Sequence, residues 1–410
     1  MTTTTAPPPS PPLPSGGDRH GYPRTYAINL SADIGTLWKF DWVVAFPWMD
    51  VQSFHAQNPT GIATTYVRND IPAAVPPGGG FYEALWHETS LNVSYQGYSV
   101  VCCSGMQERN SMEAWTGGND TLTDGQAANV GFIRAWQPSD TAGLQSGCYA
   151  GSVCHAWALN HAGTGAWLGQ LTVYLAKRDQ LYGRGWDGVW TDNAACHYAS
   201  AALCDGFQTA LEYERRSLPG KYVGGNGISD CGHELGWSGS DPNGFFKMGN
   251  MSLTEGAQAF CTGPDNFVRW INTWLNYPDP YGQPRYNAYW DFGGDSSLQR
   301  MRWGLTLAMM ASSYYESSST GWYDEFWGGT LNQRGYLGLP TATAVKLANG
   351  VWRRDFQNGV ALNNSSGSAQ TVSLGGTYKH LTGSQAPGIN DGSSVSSVTI
   401  PNQDGLILLR

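Results

Sequence analysis

Five polar side chains fall at or just past the ends of short apolar segments, and four of them are carboxylic acids. Asp192 closes Asp187-Gly-Val-Trp-Thr-Asp192, Asn226 closes Tyr222-Val-Gly-Gly-Asn226, and Glu255 follows Phe245–Met251. Asp291 closes Tyr286-Asn-Ala-Tyr-Trp-Asp291, and Glu316 closes Ser312-Ser-Tyr-Tyr-Glu316. Paired carboxyls suit the cleavage of an acetal. One donates its proton to the leaving oxygen while the other attacks the anomeric carbon or activates a water. Burial and like charge push the two pKa values apart, so one carboxyl stays protonated near neutral pH.

Within this set Asp192 is the expected nucleophile or base, and Glu255 its acid partner. Asp291 and Glu316 are rival acids or binders of sugar hydroxyls. Asn226 is a candidate hydrogen-bond partner for a sugar hydroxyl, and Trp190, Trp290 and Asn193 complete the expected substrate-binding set. Asp324 and Glu325, in Trp322-Tyr-Asp-Glu-Phe-Trp327, are further candidates. Each has a plainer use. Asp192 could cap the helix that follows it, Glu255 could be an exposed loop carboxylate, and Asn226 could form a turn beside Gly225 and Gly227. Asp187 begins its segment and is expected to be structural.

Elements must bring these ends together. Apolar segments without alternation recur at Tyr26–Leu30, Trp42–Phe46, Ile62–Val67, Trp186–Asn193, Tyr222–Asn226, Phe245–Met251, Tyr286–Asp291 and Ser312–Glu316. Such runs suit strands covered on both faces of a parallel sheet. Helical spacing falls between them at Trp167–Leu181, Ser200–Arg216, Asn266–Leu275 and Leu298–Ala311. Eight alternations predict an α/β chain folded as a (β/α)8 TIM barrel over residues 21–345, with an insertion near 80–130. Barrel sites lie at the C-terminal strand ends, where the acids fall. Beyond residue 350, Phe356–Leu362, Thr371–Leu374 and Val398–Leu409 predict a small antiparallel β-sandwich domain. Residues 1–20 read as a disordered Pro/Thr-rich linker.

Composition narrows the partners. The chain has 410 residues, a net charge of −9 and no basic stripe, which argues against nucleic acid. Mean hydropathy is −0.35 and no apolar run approaches about 20 residues, which argues against a membrane span. Eighteen Trp and 21 Tyr favour stacking on sugar faces, or a large aromatic core. Cys148 with Cys154, and Cys196 with Cys204, have the spacing of short-range disulfides of an oxidising compartment. An extracellular, cell-surface or virion-associated setting is expected, although no basic segment followed by an apolar one opens the sequence. His155, His161, His197 and His233 lack ligand spacing, so no metal is expected. Neither a dinucleotide fingerprint nor a Gly-x-Ser-x-Gly elbow is present, and no cofactor is expected.

Five stretches carry a family resemblance. They are Trp186-Asp-Gly-Val-Trp-Thr-Asp-Asn193, Trp322-Tyr-Asp-Glu-Phe-Trp327, Gly335-Tyr-Leu-Gly-Leu-Pro340, Trp352-Arg-Arg-Asp-Phe-Gln-Asn-Gly-Val-Ala-Leu-Asn363 and Pro401-Asn-Gln-Asp-Gly-Leu-Ile-Leu-Leu409. In these the chain resembles the hypothetical glycosyl hydrolase-like (β/α)8-barrel family with a C-terminal β-domain. That family is distantly similar to α-galactosidase-type and endo-α-1,4-polygalactosaminidase-like barrels. The resemblance implies a nucleophile or base after strand four, at Asp192, and a proton donor after strand six, at Glu255. Relatives carry that Glu at the strand end, whereas here Ser252-Leu-Thr254 intervenes. The leading expectation is hydrolysis of a polysaccharide or cell-surface glycan. Its rivals are a non-catalytic glycan-binding or virion attachment protein on the same fold, and a structural assembly role.

Overall fold

Trp42, Val43 and Val44 are consecutive and all fully buried. A strand turns successive side chains to opposite faces, so this segment is covered on both sides, as an unalternating apolar run requires. The structure, a computed structural model, describes residues 21–29, 37–45, 51–67, 83–88, 94–95, 98–99, 132–134, 153–159, 187–191, 220–226, 249–257, 261–276, 284–291, 297–317 and 322–410.

The fold is mixed α/β. Eight strands form one sheet in chain order: β1 (Tyr26–Asn29), β2 (Trp42–Ala45), β3 (Ile62–Val67), β4 (Gly188–Thr191), β5 (Tyr222–Asn226), β6 (Met251–Glu255), β7 (Tyr286–Asp291) and β8 (Tyr314–Ser317). Every pairing between neighbours is parallel. The first and last strands also meet. Thr25 and Tyr315 form a parallel bridge, and the Tyr315 N–H donates to the Arg24 carbonyl at 3.0 Å. Four α-helices are described: α1 (Val51–Gln57), α2 (Pro264–Leu275), α3 (Leu298–Met310) and the single turn α4 (Asp324–Trp327).

Two apolar clusters sandwich the sheet. One draws Tyr26, Trp42, Ile62, Trp190, Tyr222, Met251, Tyr286 and Tyr314 from all eight strands. Its rings meet edge to face, Trp42 with Tyr26 at 4.6 Å and with Tyr314 at 5.7 Å. The other packs Ala27, Val43, Ala63, Tyr289 and Tyr315 against the helices, including Phe267 and Ile271 of α2. Much of the aromatic surplus is therefore core.

Two expected elements shift. The sixth strand was expected over Phe245–Met251, but β6 runs Met251–Glu255, so Glu255 is its last residue rather than lying past it. The Phe-Phe pair is the more apolar signal, yet Met251 and Leu253 fill one side while Ser252 and Thr254 are buried on the other. There Thr254 donates to Asn287 at 3.1 Å, and Asn287 donates to Ser313 at 3.0 Å. Between β3 and β4, a separate three-stranded sheet joins Glu83–Glu88, Val153–Leu159 and Phe132–Arg134. It extends past the 80–130 span expected for the insertion. The helices expected at Trp167–Leu181 and Ser200–Arg216 lie outside the described residues.

After α4 come β9 (Val345–Lys346), β10 (Val351–Phe356), β11 (Gly359–Asn364), β12 (Gln370–His380), β13 (Ser394–Ile400) and β14 (Asp404–Leu409). They form one antiparallel sheet in the order β9-β10-β11-β14-β12-β13, and Val351, Val360, Leu362, Val372, Leu374, Val398, Ile400 and Leu408 share one buried cluster. The eleven-residue β12 shifts register between Ser373 and Tyr378, pairing with β13 on both sides of the shift and at its end with β14 as well. The run Phe356–Leu362, expected as one strand, crosses the tight hairpin between β10 and β11.

This sheet sits on α3, nearly all of whose residues are buried. Arg302 forms a bidentate pair with Asp404 of β14, both bonds 3.0 Å. Asn363 of β11 donates to the Trp303 carbonyl at 2.8 Å. Gly405 comes so close that an added Cβ would lie 2.0 Å from Thr306 Oγ1.

Candidate active site

Register sorts the strand-end residues. Glu255 of β6 pairs with Trp290 of β7, and Trp290 pairs with Glu316 of β8. Partners in parallel register point to the same face. Glu255 shares its face with Met251 and Leu253, Trp290 with Tyr286 and Ala288, and Glu316 with Tyr314, all members of the cluster drawn from all eight strands. Glu255, Trp290 and Glu316 thus form one row at the C-terminal ends of three adjacent strands. Glu255 and Trp290 are half-buried, and Glu316 is 4% exposed. Glu316 Oε1 accepts the Ile28 N–H at 2.9 Å, which ties the β8 end to β1.

Asp291 departs from the rim expectation. It is one residue past Trp290 and therefore on the opposite, helix-facing side. It is 1% exposed, and Arg300 of α3 donates to both its oxygens at 2.9 Å. Arg300 in turn lies over the Trp303 ring at 4.0 Å. The partly exposed guanidinium neutralises a buried carboxylate, and the pair supports the end of β7 from behind. Trp190 also departs: at 1% exposure within the cluster drawn from all eight strands, its ring is packing and presents no open face.

Asp324 and Glu325 do not join the row either. Asp324 Oδ2 accepts the backbone N–H groups of Ser384 and Gln385, each at 2.7 Å. Glu325 Oε1 accepts from the Asn390 amide at 2.9 Å, and burial raises its pKa against the opposing pull of that bond and of Arg302. Both fasten α4 to the loop after β12. Asp187 binds the Ala63 N–H at 2.7 Å and lies 3.2 Å from His55, at the start of β4, which is the structural place expected for it.

Asp192 and Asn193 lie outside the described residues. Asn226 ends β5 in register with Leu253, and its side chain is likewise outside them. The side chains of Cys148, Cys154, Cys196 and Cys204 are outside them too, while Cys261, just before α2, is disulfide-bonded. Among the described residues no group of three or more His, Cys, Asp or Glu could hold a metal ion, and no helix is long and apolar enough to cross a membrane.

Sequence reasoning missed what lies behind the row. Tyr289, wholly buried, receives the Ala257 N–H on its hydroxyl at 3.4 Å. Counting alternate residues back from Asp291 finds it, because Tyr289 shares that helix-facing side.

No family model matches the chain, and no curated protein matches it. Among solved structures, the glycoside hydrolase domain of PelA from Pseudomonas aeruginosa is 12% identical over 73% of this chain and 95% of that one, with a TM-score of 0.39. A β-L-arabinopyranosidase from Geobacillus stearothermophilus is 14% identical over 58% and 62%, with a TM-score of 0.35. A type III pullulan hydrolase from Thermococcus kodakarensis is 11% identical over 94% and 75%, with a TM-score of 0.37.

Proposed function

We propose that the eight parallel strands close into a (β/α)8 barrel and that the chain is a glycoside hydrolase acting at the C-terminal ends of those strands. The bridge between Thr25 and Tyr315, the Glu316–Ile28 bond across the same seam and the single inner cluster all support closure. The observation that carries the activity is the row Glu255–Trp290–Glu316. Two carboxyls flank an indole at the end of a barrel where such sites form.

Neighbouring strands are about 4.8 Å apart, so the α-carbons of Glu255 and Glu316 stand roughly 10 Å apart. Asp192 directly follows Thr191, the last residue of β4, and Trp190 two residues before it faces inward. In this reading Asp192 is the nucleophile or base and Glu255 the proton donor. Trp290 offers an aromatic surface to a sugar, and Glu316 and Asn226 hold hydroxyls. The substrate is a polysaccharide or cell-surface glycan, met outside the cytosol, a setting that the disulfide at Cys261 favours.

The test is reducing-sugar release from a panel of bacterial cell-wall and capsular glycans by wild type, Asp192→Ala and Glu255→Gln. Release by wild type that falls by about 10²-fold or more in both variants supports the assignment. Glycan binding without release in any of the three would show a binding protein instead.

A further inference from the structure

A second row runs behind the first. Thr254, Tyr289 and Tyr315 are in register on the helix-facing side, one residue before Glu255, Trp290 and Glu316. All three are essentially inaccessible. The chain leaves β6 at Glu255 and turns at once. Gly256 has φ 66°, in the left-handed region that favours glycine. Its N–H donates to the Trp290 carbonyl at 2.8 Å. The next N–H, of the fully buried Ala257, passes to the helix side and meets the Tyr289 hydroxyl.

Tyr289 is itself fixed. Its ring lies 4.7 Å from that of Phe267 on α2 and 6.3 Å from that of Tyr315. Burial first, then the charge of Asp291, raise its pKa far above the ordinary phenol value, with Ala257 and Arg300 opposing. The hydroxyl stays neutral at any working pH.

We propose that Tyr289 is a positioning residue, whose hydroxyl holds the Gly256–Ala257 turn and thereby aims Glu255 into the row. The proposal rests on the reading of Glu255 as proton donor. Two successive peptide N–H groups after Glu255 are held by two successive residues of β7, one at the Trp290 carbonyl and one at the Tyr289 side chain. The backbone that carries the Glu255 side chain cannot rotate without losing one of them. Tyr289→Phe removes the second tie and keeps the ring.

The experiment compares the full chain with Tyr289→Phe and with Tyr315→Phe, which deletes a hydroxyl from the neighbouring position of the same row. General-acid assistance contributes about 10²- to 10⁴-fold, so a misaimed acid should lower kcat about 10-fold on the glycan that wild type cleaves. Substrate binding is untouched, so KM should stay within about twofold. A dinitrophenyl glycoside of the same sugar departs without protonation and should be cleaved by Tyr289→Phe as fast as by wild type. The Ala257 amide should exchange faster in Tyr289→Phe alone. Equal losses on both substrates, equal losses in both variants, or unchanged Ala257 exchange would each overturn the proposal. If wild type cleaves no glycan, the reading of Glu255 fails by itself. Ala257 exchange then decides whether Tyr289 holds the turn.

Discussion

A carboxyl at a strand end is defined by the side it faces and the donors it meets there. Glu255 and Glu316 stand with the cluster drawn from all eight strands, whereas Asp291 is bound by a guanidinium against α3. Glu325 shows the cost of burial most directly. Loss of water raises its pKa, Asp324 adds to the rise, and the Asn390 bond and Arg302 only partly offset it. Its folded pKa thus lies above the unfolded one, and the folded state holds the proton more tightly. This group therefore favours the fold most below the unfolded value of about 4.3, and that contribution is lost as pH rises through the folded pKa. Glu325→Gln keeps an acceptor for Asn390 and removes the charge. Its urea midpoint should exceed that of wild type at pH 7.5, with the gap closing toward pH 4. A constant gap across that range would mean that the charge is not the cause. The types and spacing of these acids are visible in the sequence, but their sorting is not, because Arg300 reaches Asp291 only once α3 has packed. Parity alone would have separated Trp290 from Asp291.

Elements differ in how plainly the chain announces them. Helix α2 is the legible kind: Phe267, Val268, Trp270, Ile271 and Trp274 make a buried stripe, as the spacing of Asn266–Leu275 implies. Strand β6 is not, because its outward side is a buried hydroxyl ladder in place of apolar side chains, and the hydroxyls find partners only on neighbouring strands. Helix α3 reads as a helix, yet nothing in its own sequence says that two sheets cover it. Its cover is tight. A methyl group at Gly405 would also come within 2.6 Å of the Arg302 carbonyl. Gly405→Ala should therefore cost about 1–3 kcal/mol in a denaturation series, as overpacking does. At Gly376 the nearest atom to an added Cβ is 3.9 Å away, and the same change should be nearly neutral. Equal effects at both positions would contradict the tight seat of β14.

For the whole molecule, the alternation of segments was enough to predict parallel strands, and a change of pattern near Val351 marked the second sheet. What joins the two was hidden. Arg300 binds the parallel sheet and Arg302, two residues on, binds the antiparallel one. Trp352 of β10 also donates to Asp265 in the first turn of α2 at 2.8 Å. Removing residues 346–410 should uncover the far side of α3 and leave Arg302 without Asp404. The shortened chain is expected to bind a hydrophobic dye and to lose its cooperative thermal transition. A sharp transition with no dye binding would mean that the first sheet stands alone.

Because one helix is the wall of both sheets, the two halves do not behave as exchangeable modules. A recombination event that moved only β9–β14 into another protein would deliver a sheet whose counterpart stayed behind. The smallest heritable unit that keeps α3 with that sheet begins at Ser297, where α3 is capped, and runs to the last strand. Joint retention of both halves, with paired substitutions at 302 with 404 and at 306 with 405, is the pattern expected of this shared wall.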